Sequence, residues 1–177
     1  MKAINRKMNI SKNVAVRVCW FLAIGLATAF GQEPNGRSNG RVDCKQIKAS
    51  GTTVVVTTDC RSPIGLCAAG FFTGDELIRG GTFASVLGAA PSIGLPGIEA
   101  ETTLSLAGER TITTWDGTLA FRFVTVFDTA RGEFAEINRV TGGSGKFEGA
   151  TGTLWLTGTG TTSFVSEVTG QICTTKR

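Results

Sequence analysis

The sequence predicts an all-β protein, a closed antiparallel barrel of about eight strands, with a two-sheet sandwich as the second architecture. Three observations predict it. Runs of β-branched and aromatic residues alternate with short turns along most of the chain. No stretch of ten residues after the first 29 carries the 3.6-residue apolar period of an amphipathic helix. The connections between runs are short, so sequence neighbours pair as a meander, and such a sheet best protects its edges by closing on itself.

The chain opens with Lys2, Arg6, Lys7, Lys12 and Arg17 and no acid, followed by an apolar run of 12 residues, 18–29, that ends Ala27-Thr28-Ala29. A basic region, a short apolar region and a small-x-small ending describe a secretory signal peptide over residues 1–29. The apolar run falls well short of the roughly 20 residues that span a bilayer, so no stable membrane insertion is expected after cleavage. Cys19 stands at the start of that run and not at its end, which disfavours a lipoprotein anchor. Residues 30–41, with "GQEPNGRSNGR", are polar and glycine-rich and read as a flexible lead-in. Residues 42–177 then form a single barrel domain.

Removing the leader changes the charge. Five of the 18 basic residues leave with it, so 13 face the 14 acidic ones. The pI near 9.0 therefore belongs to the leader. A near-neutral remainder gives no electrostatic ground for nucleic acid or an anionic membrane as partner.

Four cysteines remain, Cys44, Cys60, Cys67 and Cys173. An even number in an exported chain implies two disulfides, with three possible connectivities, and a secreted, extracellular or periplasmic location. A metal site is disfavoured because there is no C-x-x-C and no histidine anywhere. In "CRSPIGLC", Pro63 and Gly65 supply a tight turn between two cysteines. The expected pairs are Cys60–Cys67 and, from opposite ends of the domain, Cys44–Cys173. The second pair requires the first and last strands to be neighbours.

The strand candidates run in order. "VDCKQIKAS" and "TTVVVTTDC" (52–60) come early, followed by "GIEAETTLSLAGE", "GTLAFRFVTVFD", "GEFAEINRV", "ATGTLWLTGTG" and "TTSFVSEVTGQIC". Turns such as "WDG" and "TARG" separate several of them. In "GTLAFRFVTVFD", Leu119, Phe121, Phe123, Thr125 and Phe127 share one side, and the more polar Ala120, Arg122, Val124, Val126 and Asp128 the other. The first side is expected to face inward, where Phe121, Phe123 and Phe127 either line a ligand cavity or fill a core.

"VTGGSGKFEGATG" (140–152) first suggests a phosphate cradle. A P-loop would need glycine at 140 and Ser or Thr at 147, where Val140 and Phe147 stand. A dinucleotide fingerprint would need glycine at 148, which is Glu148, and a strand-to-helix turn around it. No nucleotide or other cofactor is therefore expected. The reading is a hairpin turn in which Gly142, Gly143 and Gly145 accept positive φ and Phe147 returns to the core. Gly149 and Gly152 suggest a bulge or a close strand crossing.

The same stretch resembles the Gly-Gly-Ser-Gly-x-Phe-Glu-Gly-Ala-x-Gly motif of plant allene oxide cyclases, and dirigent proteins carry a related Gly-Gly-Thr-Gly-x-Phe turn. The motif covers residues 140–152, with weaker support from strand spacing between about 98 and 173. The "SPIGLC" hairpin is more similar to small secreted bacterial proteins of the same barrel type. The resemblance implies an eight-stranded barrel with an apolar cavity and, as in the plant enzymes, a trimer. Its matching residues, Gly142 to Gly152, are structural in the family. The glutamate that the plant cyclases place on early strands has no counterpart in "VDCKQIKAS" or "TTVVVTTDC".

Without histidine there is no Ser-His-Asp or Cys-His arrangement. Candidate acids and bases are the carboxylates Glu99, Glu101, Asp116, Asp128, Glu133 and Glu136. Arg122 and Asp128 share a strand face but lie roughly 20 Å apart along it, too far to pair. Two functions follow. The first is a disulfide-stapled module that binds a small apolar, lipid-like ligand or a partner without catalysis. The second is an isomerase or cyclase of the allene oxide cyclase or dirigent type, acting by ordering a reactive apolar intermediate. A carboxylate pointing into the cavity would favour the second.

Overall fold

The computed structural model describes residues 41–92 and 102–176. The expected leader (1–29), the lead-in up to residue 40, and the candidate carboxylates Glu99 and Glu101 lie outside the described residues.

Eight strands follow one another: β1 (Arg41–Val56), β2 (Cys67–Thr73), β3 (Gly80–Pro91), β4 (Thr103–Thr114), β5 (Gly117–Asp128), β6 (Glu133–Gly143), β7 (Thr151–Gly160) and β8 (Ser163–Lys176). Each pairs antiparallel with the next, and β8 returns to β1 from Arg41–Lys176 to Val54–Ser163, closing the barrel. This closure rules out the two-sheet sandwich, since β1 and β8 would be separate edges there.

The two early runs form one strand. Ile47, Ala49, Gly51, Thr53 and Val55 keep the inward side of β1 in unbroken alternation, so the segment never turns. It stops at Val56, and residues 57–66 form the loop that the Cys60–Cys67 disulfide closes. Strands β2 and β3 escape the propensity reading because "CAAGFFT" and "GGTFASVLGAAP" are built largely from Gly and Ala. They are strands through pairing, not propensity. The fourth strand begins at Thr103 and runs on through "TITT" to the "WDG" turn. Leu87 on β3 and Thr141 on β6 are each one residue extra in the register, so both are bulges that bend the wall.

The inward side of β5 is the expected one: Leu119, Phe121, Phe123 and Thr125 are buried, while Arg122, Val124 and Val126 are exposed. Inside, Ile47, Phe72, Ile112, Leu119, Phe121, Leu154, Val168 and Ile172 form the main core. Ile78 from the β2–β3 loop and Phe147 from the β6–β7 loop plug the end of the barrel at which β1 begins and β8 ends. Among the described residues no helix is long and apolar enough to cross a membrane.

The 140–152 stretch corrects one expectation. Gly142 and Gly143 are the last residues of β6 and do not adopt positive φ; the turn itself is Ser144 to Ala150, around a 3-10 turn at Gly145–Phe147. Gly143 is needed for space: a Cβ there would run into the carbonyl oxygens of Phe147 and Thr118. Gly145 does take φ +61°, against the Asp116 carbonyl of the neighbouring turn. Phe147 is 1% exposed.

Candidate functional site: a polar layer beneath an apolar cavity

The barrel interior changes character halfway along. Below lies the main core; above, towards the β1–β2 and β7–β8 loops, Ala84, Val86 and Phe123 form a second cluster with Leu66 and Leu106. This upper half holds a cavity of about 200 Å³, open to solvent on one side and walled by these residues with Val55, Leu104, Phe127, Phe134 and Phe164. Phe164 holds the rim together, packing edge-on against Phe127 (6.1 Å) and Phe134 (5.9 Å). Cys67 also lines the cavity and is fully buried, so the Cys60–Cys67 disulfide ties the β1–β2 loop to the cavity wall. Ser62 fastens the same loop, donating to the Val86 carbonyl and accepting from the Leu66 N–H at 3.1 Å.

The floor is ionic. Arg110 on β4 reaches across β5 to Glu136 on β6, Nη2 to Oε1 at 2.9 Å, with side-chain exposures of 9% and 6%. Asn138 Nδ2 donates to the same Oε1 at 2.7 Å, and Thr125 Oγ1 donates to Oε2 at 2.7 Å. The guanidinium lies 5.6 Å from the ring centres of both Phe72 and Phe123, so its faces meet aromatic surface. Alternation explains the cluster: Gly108, Arg110 and Ile112 are the inward residues of β4, and Glu136 and Asn138 are consecutive inward residues of β6. Arg110 Nε, Asn138 Oδ1 and, on β3, Thr82 Oγ1 are buried without a hydrogen-bond partner in the protein. Such a layer is costly, since apolar side chains of similar shape are often as good or better for stability.

The remaining sequence candidates separate. Phe123 and Phe127 stand in the cavity wall, whereas Phe121 belongs to the lower core. Of the carboxylates, Glu136 alone among those described reaches the cavity. Asp116 sits in the β4–β5 turn with Lys146 at 3.1 Å, and Glu133 is exposed. Asp128 caps the β5–β6 turn; the N–H of Ala130, ahead of that of Arg131 and the Thr102 side chain, holds its carboxyl below the ordinary 3.8 against a smaller effect of burial. Arg110 and Asn138 were not singled out by the sequence, although an arginine at an inward position of an alternating strand is the available signal.

A larger groove, about 530 Å³, lies on the outside of the plugged end, lined by Asp43, Lys45, Glu76, Asp116, Lys146 and Glu148 among others. Its lysines are paired at the surface, Lys45 with Asp75 at 3.4 Å and Lys146 with Asp116. Leu77 and Ile172 give it some apolar wall, but its lining is otherwise largely exposed and charged and no buried ion pair faces it, so the smaller cavity above the Arg110–Glu136 pair is the candidate site.

Both expected disulfides are formed. Cys60 joins Cys67, and Cys44 joins Cys173, its direct partner in the β1–β8 register. Comparison of the chain with protein-family models, with curated proteins and with solved structures finds no match to any of them.

Proposed function

We propose that this protein is a non-enzymatic binding module whose barrel holds one compact, neutral, largely apolar molecule above the Arg110–Glu136 layer. The observation that carries this reading is the pairing of an apolar cavity with a single ionic cluster at its floor. The size supports a compact ligand. An apolar cavity of roughly 150 Å³ is enough for benzene, whereas drug-sized ligands occupy about 300–1,000 Å³. A volume of about 200 Å³ suits a single substituted ring. The charge supports a neutral one. Glu136 already compensates Arg110, so an acid would bring a second negative charge beside a buried carboxylate.

The isomerase or cyclase reading draws on the same carboxylate, because Glu136 does line the cavity. Its oxygens are already engaged, Oε1 by Arg110 and Asn138 and Oε2 by Thr125. That arrangement favours a fixed polar floor over a proton carrier. The resemblance of residues 140–152 to allene oxide cyclases bears on the turn that plugs the far end, not on this floor.

Calorimetric titration with cyclohexanol, cyclohexanecarboxylate and a long-chain fatty acid tests the reading. Saturable binding of cyclohexanol, with the two acids bound far more weakly, is the expected outcome. Preference for either acid would overturn it.

A further inference from the structure

We infer that the outer face of β4–β7 docks a second copy of this chain about a two-fold axis that runs across the strands. The register places the exposed residues Ala107, Val124, Ile137 and Trp155 side by side on four successive strands, with Val126 and Ala135 in the next outward row. Val124, Val126, Ile137 and Trp155 are each 45–52% exposed. Because the barrel is closed, no strand edge is offered there, and association has to use a face.

The charges that border this apolar band say which face it fits. On the side towards the plugged end, Arg122 and Arg139 stand directly opposite each other across β5 and β6; on the other side, Asp128 and Glu133 do the same. Like charges directly opposite are unfavourable in an isolated sheet. Each couple is only partly relieved: Glu109 lies 3.5 Å from Arg122, and Arg131 lies 4.0 Å from both Asp128 and Glu133. Each border therefore keeps one uncompensated charge, positive at one end of the band and negative at the other. Arg139 has no ion pair among the described residues.

The two couples are six residues apart along the strands, roughly 20 Å. A copy turned end for end, β5 over β5 and β6 over β6, brings Arg122 onto Asp128 and Arg139 onto Glu133 of the second copy. It also sets Val124 on Val126 and Ile137 on Ala135. A two-fold along the strands would instead set arginine on arginine. The interface is isologous, so every contact occurs twice and the assembly stops at two. This proposal does not depend on what the cavity holds.

Sedimentation velocity across a concentration series, on the wild type, Arg139→Glu, Glu133→Arg and the double exchange, tests it. The wild type is expected to pass from monomer to dimer. Each single variant should weaken the dimer about tenfold or more by setting like charges across the interface. The double exchange should restore it. Thermal melts of dilute samples provide the control for folding: Arg139→Glu removes the clash with Arg122 within a chain, so its monomer should melt no lower than the wild type. A wild type that stays monomeric or forms a trimer, or single variants that dimerise as well as the wild type, would overturn the inference. So would a double exchange that stays monomeric.

Discussion

Arg110 and Glu136 meet at 2.9 Å inside the barrel although they stand on β4 and β6, so their ion pair passes over β5 and divides the interior into a filled half and a hollow half. Breaking one side of a buried pair is costly, while removing both charges is not. Glu136→Ala is therefore expected to destabilise by about 3–5 kcal/mol in denaturant unfolding. The double variant Arg110→Leu/Glu136→Leu is expected to recover most of that loss and to lose affinity for cyclohexanol. Recovery of stability with unchanged affinity would show that the ionic floor does not take part in recognition.

The loop at the plugged end has a different energetic signature. Phe147→Ala should cost about 3–5 kcal/mol by leaving an aromatic-sized cavity. Gly143→Ala should cost about 1–3 kcal/mol through contact with the Phe147 and Thr118 carbonyls, not through φ. Lys146→Ala removes a 3.1 Å ion pair that is more than half exposed on both sides and should change stability by less than about 1 kcal/mol. Chemical denaturation of the three variants checks the order; a Lys146→Ala loss equal to that of Phe147→Ala would contradict it.

The two disulfides are expected to act differently. In the chain-entropy model, the Cys44–Cys173 link, which spans 129 residues, contributes roughly 5 kcal/mol, and Cys60–Cys67, which spans seven, about 2.5. Cys60→Ala/Cys67→Ala should nonetheless have the larger effect on binding, because that link holds the β1–β2 loop against the cavity. Paired measurements of unfolding and cyclohexanol affinity on the two double variants check this.

Asp128 sets a pH dependence. Its folded pKa lies below the ordinary value of 3.8, so the unfolded chain takes up its proton first on acidification. The stabilisation is present in full above that ordinary value and is lost as pH falls through the lower folded value. Melting temperatures of the wild type should decline over that acidic window, and Asp128→Asn should flatten this part of the decline. An unchanged acid slope in Asp128→Asn would contradict the assignment.

Much of the barrel was legible because its later strands announce themselves. "GTLAFRFVTVFD" alternates cleanly and is bounded by turns, and strand β5 occupies those same residues, 117–128. The cysteine turn and the pairing of first with last strand could be read for the same reason, since both follow from local chemistry and closure. What escaped was set by the far side of the barrel. The Gly and Ala of β2 and β3 become strands only against β1 and β4. Gly143 looked like a turn residue because a glycine kept for space and a glycine kept for φ are the same letter. The floor was legible only in part: Glu136 stood among the candidate carboxylates and Thr125 on the inward face, while Arg110 and Asn138 escaped. Arg110, Thr125 and Glu136 lie on three strands, and only closure and register bring them together.

The central claim, that the upper half of the barrel is a binding site, is tested most directly by native mass spectrometry of protein purified from the cells that make it. Wild type should be compared with Ala84→Leu. Ala84 is buried in the cavity wall, directly opposite Arg110 in the β3–β4 register, and a leucine there would fill the hollow beside the Arg110–Glu136 pair. One small neutral molecule per wild-type chain is expected, released on denaturation, and none on Ala84→Leu, which should also unfold at higher denaturant because a cavity has been filled. Wild-type chains that carry no added mass, or a long-chain acid retained equally by both proteins, would contradict it.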